Sequence, residues 1–88
     1  MGASDFGFER LDVYQRALSF AQIAWQITQK IRNTSNRSWC DQFERAAMSI
    51  PLNIAEGSGR RFEKEKKSFY NIAQGSVFEC VAVMSLGY

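Results

Sequence analysis

A proline interrupts the strongest helical signal in this chain of 88 residues. Between Gln42 and Arg61, a step of ~100° per residue places Phe43, Ala46, Ala47, Ile50 and Ile54 on one narrow stripe that runs straight through Pro51. In a helix interior, proline removes one donor and crowds the carbonyl four residues back, here that of Ala47, at about 3 kcal/mol. Either the helix kinks and continues, or it stops near Ser49 and a second one starts with Pro51 at its first position. Ile50 and Ile54 stay in phase with Phe43, which favours one kinked helix. Gly57 and Gly59 are expected to end it.

On either side of this stretch the chain again reads as helix. Residues 1–10 carry two glycines and no apolar period, and read as a tail whose Phe6 and Phe8 either tuck onto the remainder or stay loose. Residues 11–88 read as one helical domain. Asp12 with Gln15 resembles a capping box and starts a first helix at Val13, running to about Arg32. Tyr14, Leu18, Ala21 and Trp25 form the centre of its apolar face, with Ala17, Ala24, Thr28 and Ile31 to one side. Asn33–Ser38 is a polar turn, and Ser38 with Asp41 forms a second capping box. A third helix begins around Phe62 or Glu63, with Phe69, Ile72, Ala73, Ser76, Cys80, Val83 and Met84 inward, and Gly87 reads as its stop. No strand-like alternation and no internal repeat appear. The fold class is all-α, an antiparallel up-down bundle of three helices joined by short loops.

The first and third helices are apolar over arcs of roughly 220° and 180°, wider than one buried stripe needs. Contiguous exposed apolar surface is rare on a soluble monomer and usually marks a partner. Phe20, Ile23, Ile27 and Tyr70 are therefore the expected contacts between subunits of a homo-oligomer. The competing possibility is that tilted packing and the tail cover them within one copy. An open apolar groove could equally capture a helix from a partner protein.

Chemistry finds little purchase. The chain has no histidine, so the commonest general base, the commonest zinc ligand and every histidine-activated nucleophile are missing. Cys40 and Cys80 are too few and too scattered for a disulfide framework or a metal site; Cys80 reads as core filler, and Cys40 lies near a helix start where a thiolate would be favoured. Gly57-Ser58-Gly59-Arg60 lacks the phosphate-loop pattern and its βαβ setting, and reads as a turn. Glu56 has arginines a turn away, which suits an ion pair better than acid–base work. We expect no enzyme, no cofactor and no metal. The start is not a signal peptide and no run of about 18 apolar residues is present, so the expected setting is the cytoplasm, with no membrane.

One cluster could meet a polyanion. It is Arg60, Arg61, Lys64, Lys66 and Lys67; if the third helix extends back far enough, Arg60, Lys64 and Lys67 fall within ~60° of one another on its wet face, with Asn71 beside them. Such a stripe would hold RNA or DNA through phosphates, without sequence preference and with strong salt dependence. Glu63 and Glu65 interrupt it, and Glu63 can pair with Lys67. A net charge of +2 is too small to indicate a nucleic-acid partner alone.

The run SIPLNIAEGSGRR, with LDVYQRALSFA before it and FYNIAQGSVFE after it, resembles the four-helix-bundle family of 23S rRNA intervening-sequence proteins, from about Phe8 to Tyr88. The resemblance implies a helical bundle assembling as a ring of five subunits, and a fourth helix beyond LGY that is absent here. A related branch, the accessory proteins of retroelement reverse transcriptases, is implicated in nucleic-acid binding. The family's biochemical role is not established.

Overall fold

The computed structural model describes residues 11–87; the tail expected over residues 1–10, and Tyr88, lie outside the described residues. Within them the chain forms three helices and no strand: α1 Asp12–Ile31, α2 Arg37–Ser58 and α3 Glu63–Leu86. The end of α1 meets the start of α2, the start of α2 meets the end of α3, and the end of α2 meets the start of α3. The order is therefore up-down-up, with α1 and α3 parallel to each other.

α2 is the centre. It runs unbroken through Pro51, which is buried along with Phe43, Ala46, Ala47, Ile50 and Ile54. Continuous apolar phase on both sides of the proline holds the helix together, because burying that stripe outweighs one missing hydrogen bond. Beside the proline, Asn53 Nδ2 donates to the Ser49 carbonyl (2.8 Å), and the buried Ser76 hydroxyl lies 2.8 Å from Ser49 Oγ. Phe43 stacks on Trp39 (5.2 Å between centroids) and meets Phe20 edge-on at 6.2 Å. The Trp39 indole N–H donates to the Val83 carbonyl (2.8 Å), tying the first turn of α2 to the last turns of α3.

Several local expectations change. Neither capping box forms: Leu11 and Asn36 are the N-caps, with no side-chain cap bond at either. Asp12 pairs with Arg16 instead (2.9 Å), and Asp41 with Arg32 (2.7 Å). The turn before α2 is closed by two asparagines. Asn36 Nδ2 donates to the Ile31 carbonyl (2.9 Å), and Asn33 Oδ1 accepts the Asn36 N–H (3.0 Å). Gly57 is not a helix stop: it sits inside α2, buried, where a Cβ would lie 2.7 Å from Tyr70 Cε1 and 3.1 Å from Phe69 Cβ. Its missing side chain lets α3 approach. Gly59 is the C-cap, with ordinary right-handed φ of −85°. At the far end, Gly87 takes φ 74° and stops α3 as expected.

The buried face of α1 is also rotated from the expected one. The seam against α2 is Ala17, Ala21, Ala24 and Thr28, whereas Trp25, placed at the centre from sequence, is 53% exposed. On α3 the seam is Ala73, Ser76, Cys80 and Val83; Ile72 and Met84, expected inward, are exposed. A polar clamp closes the α1–α2 end. Glu44 accepts from the Thr28 hydroxyl and from Arg32, whose guanidinium is held above its ordinary pKa by its bonds to Asp41 and Glu44.

Candidate functional site

α1 and α3 both lie against α2, and no Cα of one comes within 8 Å of a Cα of the other among the described residues. Two parallel helices held apart by a third leave a slot, floored here by α2. One hollow of the slot, about 490 Å³, lies over Ile50 and Ile54 between Leu11 and Tyr70. A second, about 320 Å³, is bounded by Phe20, Val81 and Met84. Val13, Ile50 and Val77 line both, so the two are one continuous trough. From Tyr70 to Met84 it runs along fifteen residues of α3, about 21 Å at 1.5 Å per step, the length of roughly four helical turns.

The side chains named from sequence as subunit contacts fall on this side of the molecule. Phe20 and Tyr70 line the slot. Phe20 is half-buried through its contact with Phe43; Tyr70 is 40% exposed. Ile23 and Ile27, 53% and 45% exposed, lie within ~80° of Val13 by helical phase and continue the α1 wall. A second apolar hollow lies on the opposite side, between α1 and α2, where Leu18, Trp25, Met48 and Leu52 gather. Trp25 and Leu52, half or more exposed there, gave no sign in the sequence that they would share one surface.

The basic cluster does not form the expected stripe. α3 starts at Glu63, so Arg60 is not on its wheel. The Arg60 guanidinium bonds Glu56 (2.7 Å), as expected of that carboxylate, and lies over the Phe69 ring, 4.7 Å from its centroid. This cation–π contact and ion pair occupy it within the chain. Lys66 donates to the Ser58 carbonyl (3.3 Å). Lys64, Lys66, Lys67, Glu63 and Tyr70 line a shallow basin at the start of α3. Arg61, Lys64 and Lys67 are exposed, and no ion pair among the described residues involves them or joins Glu63 to Lys67. Tyr70 is the wall between basin and slot, and its hydroxyl lies 3.2 Å from Ser58 Oγ.

The thiols are enclosed. Cys40 is fully buried and Cys80 is 2% exposed, and burial pushes the Cys80 thiol up, away from the reactive thiolate. Among the described residues no group of three or more acidic or cysteine side chains could hold a metal ion, and no helix is long and apolar enough to cross a membrane.

The family model described as 23S rRNA-intervening sequence protein covers residues 9–88. No curated protein and no solved structure is matched.

Proposed function

The chain belongs to the 23S rRNA-intervening sequence protein family, and on that footing we propose that it works as a helix-docking scaffold and not as a catalyst. The trough between α1 and α3 carries this reading. It is largely apolar, with Arg16 and Gln74 the polar side chains in its lining, about four turns long, and edged by Val13, Val77, Val81 and Met84, each 41–57% exposed. Helix-in-groove binding asks for that shape, with anchors at i, i+3/i+4 and i+7 from the incoming helix. A chain without histidine, with both thiols enclosed, offers docking better support than nucleophilic or acid–base chemistry.

Light scattering on the 10.1 kDa chain tests it. A multiple of that mass, returned to monomer by a Val77→Asp/Val81→Asp variant, says that a second copy supplies the docked surface. A monomer that binds an amphipathic helical peptide, and loses it in the same variant, says that another protein does. A monomer indifferent to both overturns the reading.

A second role, retention of RNA or DNA, rests on Arg61, Lys64 and Lys67, which stand exposed and outside every ion pair among the described residues. Arg60 contributes less, being engaged by Glu56 and Phe69. Retention should collapse between low and moderate salt, and an Arg61/Lys64/Lys67 triple alanine variant that still retains RNA would dispose of it.

A further inference from the structure

We propose that the start of α3 selects single-stranded nucleic acid over duplex, with unpaired bases stacking on Phe62 and Tyr70 while Arg61, Lys64 and Lys67 meet the phosphates. This rests on the nucleic-acid role above and names the kind of strand. Charge by itself is weak at this end. Arg61, Lys64, Lys66 and Lys67 share it with two carboxylates, Glu63 and Glu65, that stand outside every ion pair among the described residues. Glu63 lines the basin. Glu65, exposed in the first turn, lies ~140° around the helix from Tyr70. Arg60 and Glu56 neutralise each other at 2.7 Å, and Lys66 donates to the Ser58 carbonyl. Whatever preference the small surplus gives runs toward duplex, whose higher charge density releases more counterions per contact than a single strand does.

The aromatic side chains point the other way. Phe62, the N-cap of α3, is 61% exposed between Arg61 and the lysines and stands outside the apolar core. Tyr70 is 40% exposed and lines the basin beside Lys64, Lys66 and Lys67. Its ring is positioned by Gly57, where an added Cβ would come within 2.7 Å of Cε1, and by its hydroxyl 3.2 Å from Ser58 Oγ. Phe62 and Tyr70 are eight residues apart, about 12 Å along the helix, the rise of roughly three or four stacked nucleotides at ~3.4 Å each. Unpaired bases can stack on such rings, whereas in a duplex their faces are already covered. Exposed aromatics set among cations grip single strands in this way, without sequence preference.

Anisotropy titration of the full chain at low salt tests this with a labelled mixed-sequence strand of about 16 nucleotides and the duplex that it forms with its complement. The single strand should bind about tenfold tighter. Added salt should weaken both and widen the preference, because the duplex loses more affinity per contact. In a Phe62→Leu/Tyr70→Leu variant the single strand should fall to the affinity of the duplex, with the duplex unmoved. Tyr70→Phe, which keeps the ring, should hold the preference. Phe62→Leu alone, at a side chain mostly in water, should cost the single strand about fivefold, and it decides the matter if the double variant loses duplex binding through misfolding. Equal affinities, a preference for duplex, or a preference untouched by Phe62→Leu overturn the single-strand proposal and leave phosphate retention standing. Binding of neither nucleic acid overturns both.

Discussion

α2 and its two neighbours obey the same helical period and bury very different residues. α2 has a helix on either side, and it hides large side chains: Phe43, Ile50 and Ile54 are each at most 7% exposed. α1 and α3 pack their seams on α2, and what they bury is small. Their seams are Ala17, Ala21, Ala24 and Thr28 on one, and Ala73, Ser76, Cys80 and Val83 on the other. The large apolar residues of both outer helices face elsewhere: Val13, Ile23 and Val81 stay more than half exposed. Small seams let helices approach closely, and volume is then enclosed only where a helix has a second neighbour. The outer helices are unfinished on their slot sides in a way that α2 is not.

The sharpest way to break this contrast is to hollow out α2. Phe43→Ala removes a ring that stacks on Trp39 and meets Phe20, and should cost about 3–5 kcal/mol of unfolding free energy. Urea denaturation measures it. A loss of less than about 1 kcal/mol, the ordinary scale for a random substitution, would mean that α2 is not the element holding the other two.

Gly57→Ala should act next, and its sign is informative. Alanine in a helix interior is intrinsically better than glycine by up to about 1 kcal/mol. At Gly57, however, the new Cβ would meet Tyr70 Cε1 at 2.7 Å and Phe69 Cβ at 3.1 Å. The tyrosine ring can swing aside, but Phe69 Cβ moves only with the backbone of α3. Overpacking of this kind should destabilise by about 1–3 kcal/mol. A stabilised variant would show that the first turns of α3 are not closely seated on α2, and would loosen the Tyr70 wall of the slot.

α2 is the legible element because the large residues of its sequence stripe, Phe43, Ile50 and Ile54, are also buried. The period through Pro51 predicted a helix, and burial on both sides of the proline explains why it continues. α1 was misjudged by the same logic: counting bulk put Trp25 at the centre, whereas a close seam against α2 selects alanines. Phase alone cannot tell those cases apart until the neighbour is known. Locally Gly57 reads as a stop, since glycine ends helices, and its actual use depends on Tyr70 thirteen residues later. The Thr28–Glu44–Arg32 clamp joins residues 12 to 16 apart in the chain and had no local signature. At the candidate site, the excess apolar arcs were visible in the sequence. Their union into one slot was not, because it depends on α1 and α3 both packing on α2 with their backbones held apart. Arg60 left the expected stripe for a similar reason: α3 begins three residues later, and the arginine finds Glu56 and Phe69 instead.

The smallest expected effect on the single chain separates the two kinds of surface most cleanly. Val81 lines the slot and is 53% exposed, while Val83, two residues on, is 4% exposed and faces α2. Val81→Asp places a charge where water already reaches, so the urea midpoint of the dilute chain should move by no more than about 0.5 kcal/mol equivalent. Docking changes the expectation. Any species that binds only the folded form adds to apparent stability by mass action, so a self-associating parent should gain stability as its concentration rises, and the Val81→Asp variant should not. Two parallel denaturation series, one dilute and one concentrated, therefore distinguish a slot that is merely wet from one that a second copy fills. A large loss in the dilute series would instead mean that Val81 already packs within one chain, and that α3 is finished on the side taken here to be open.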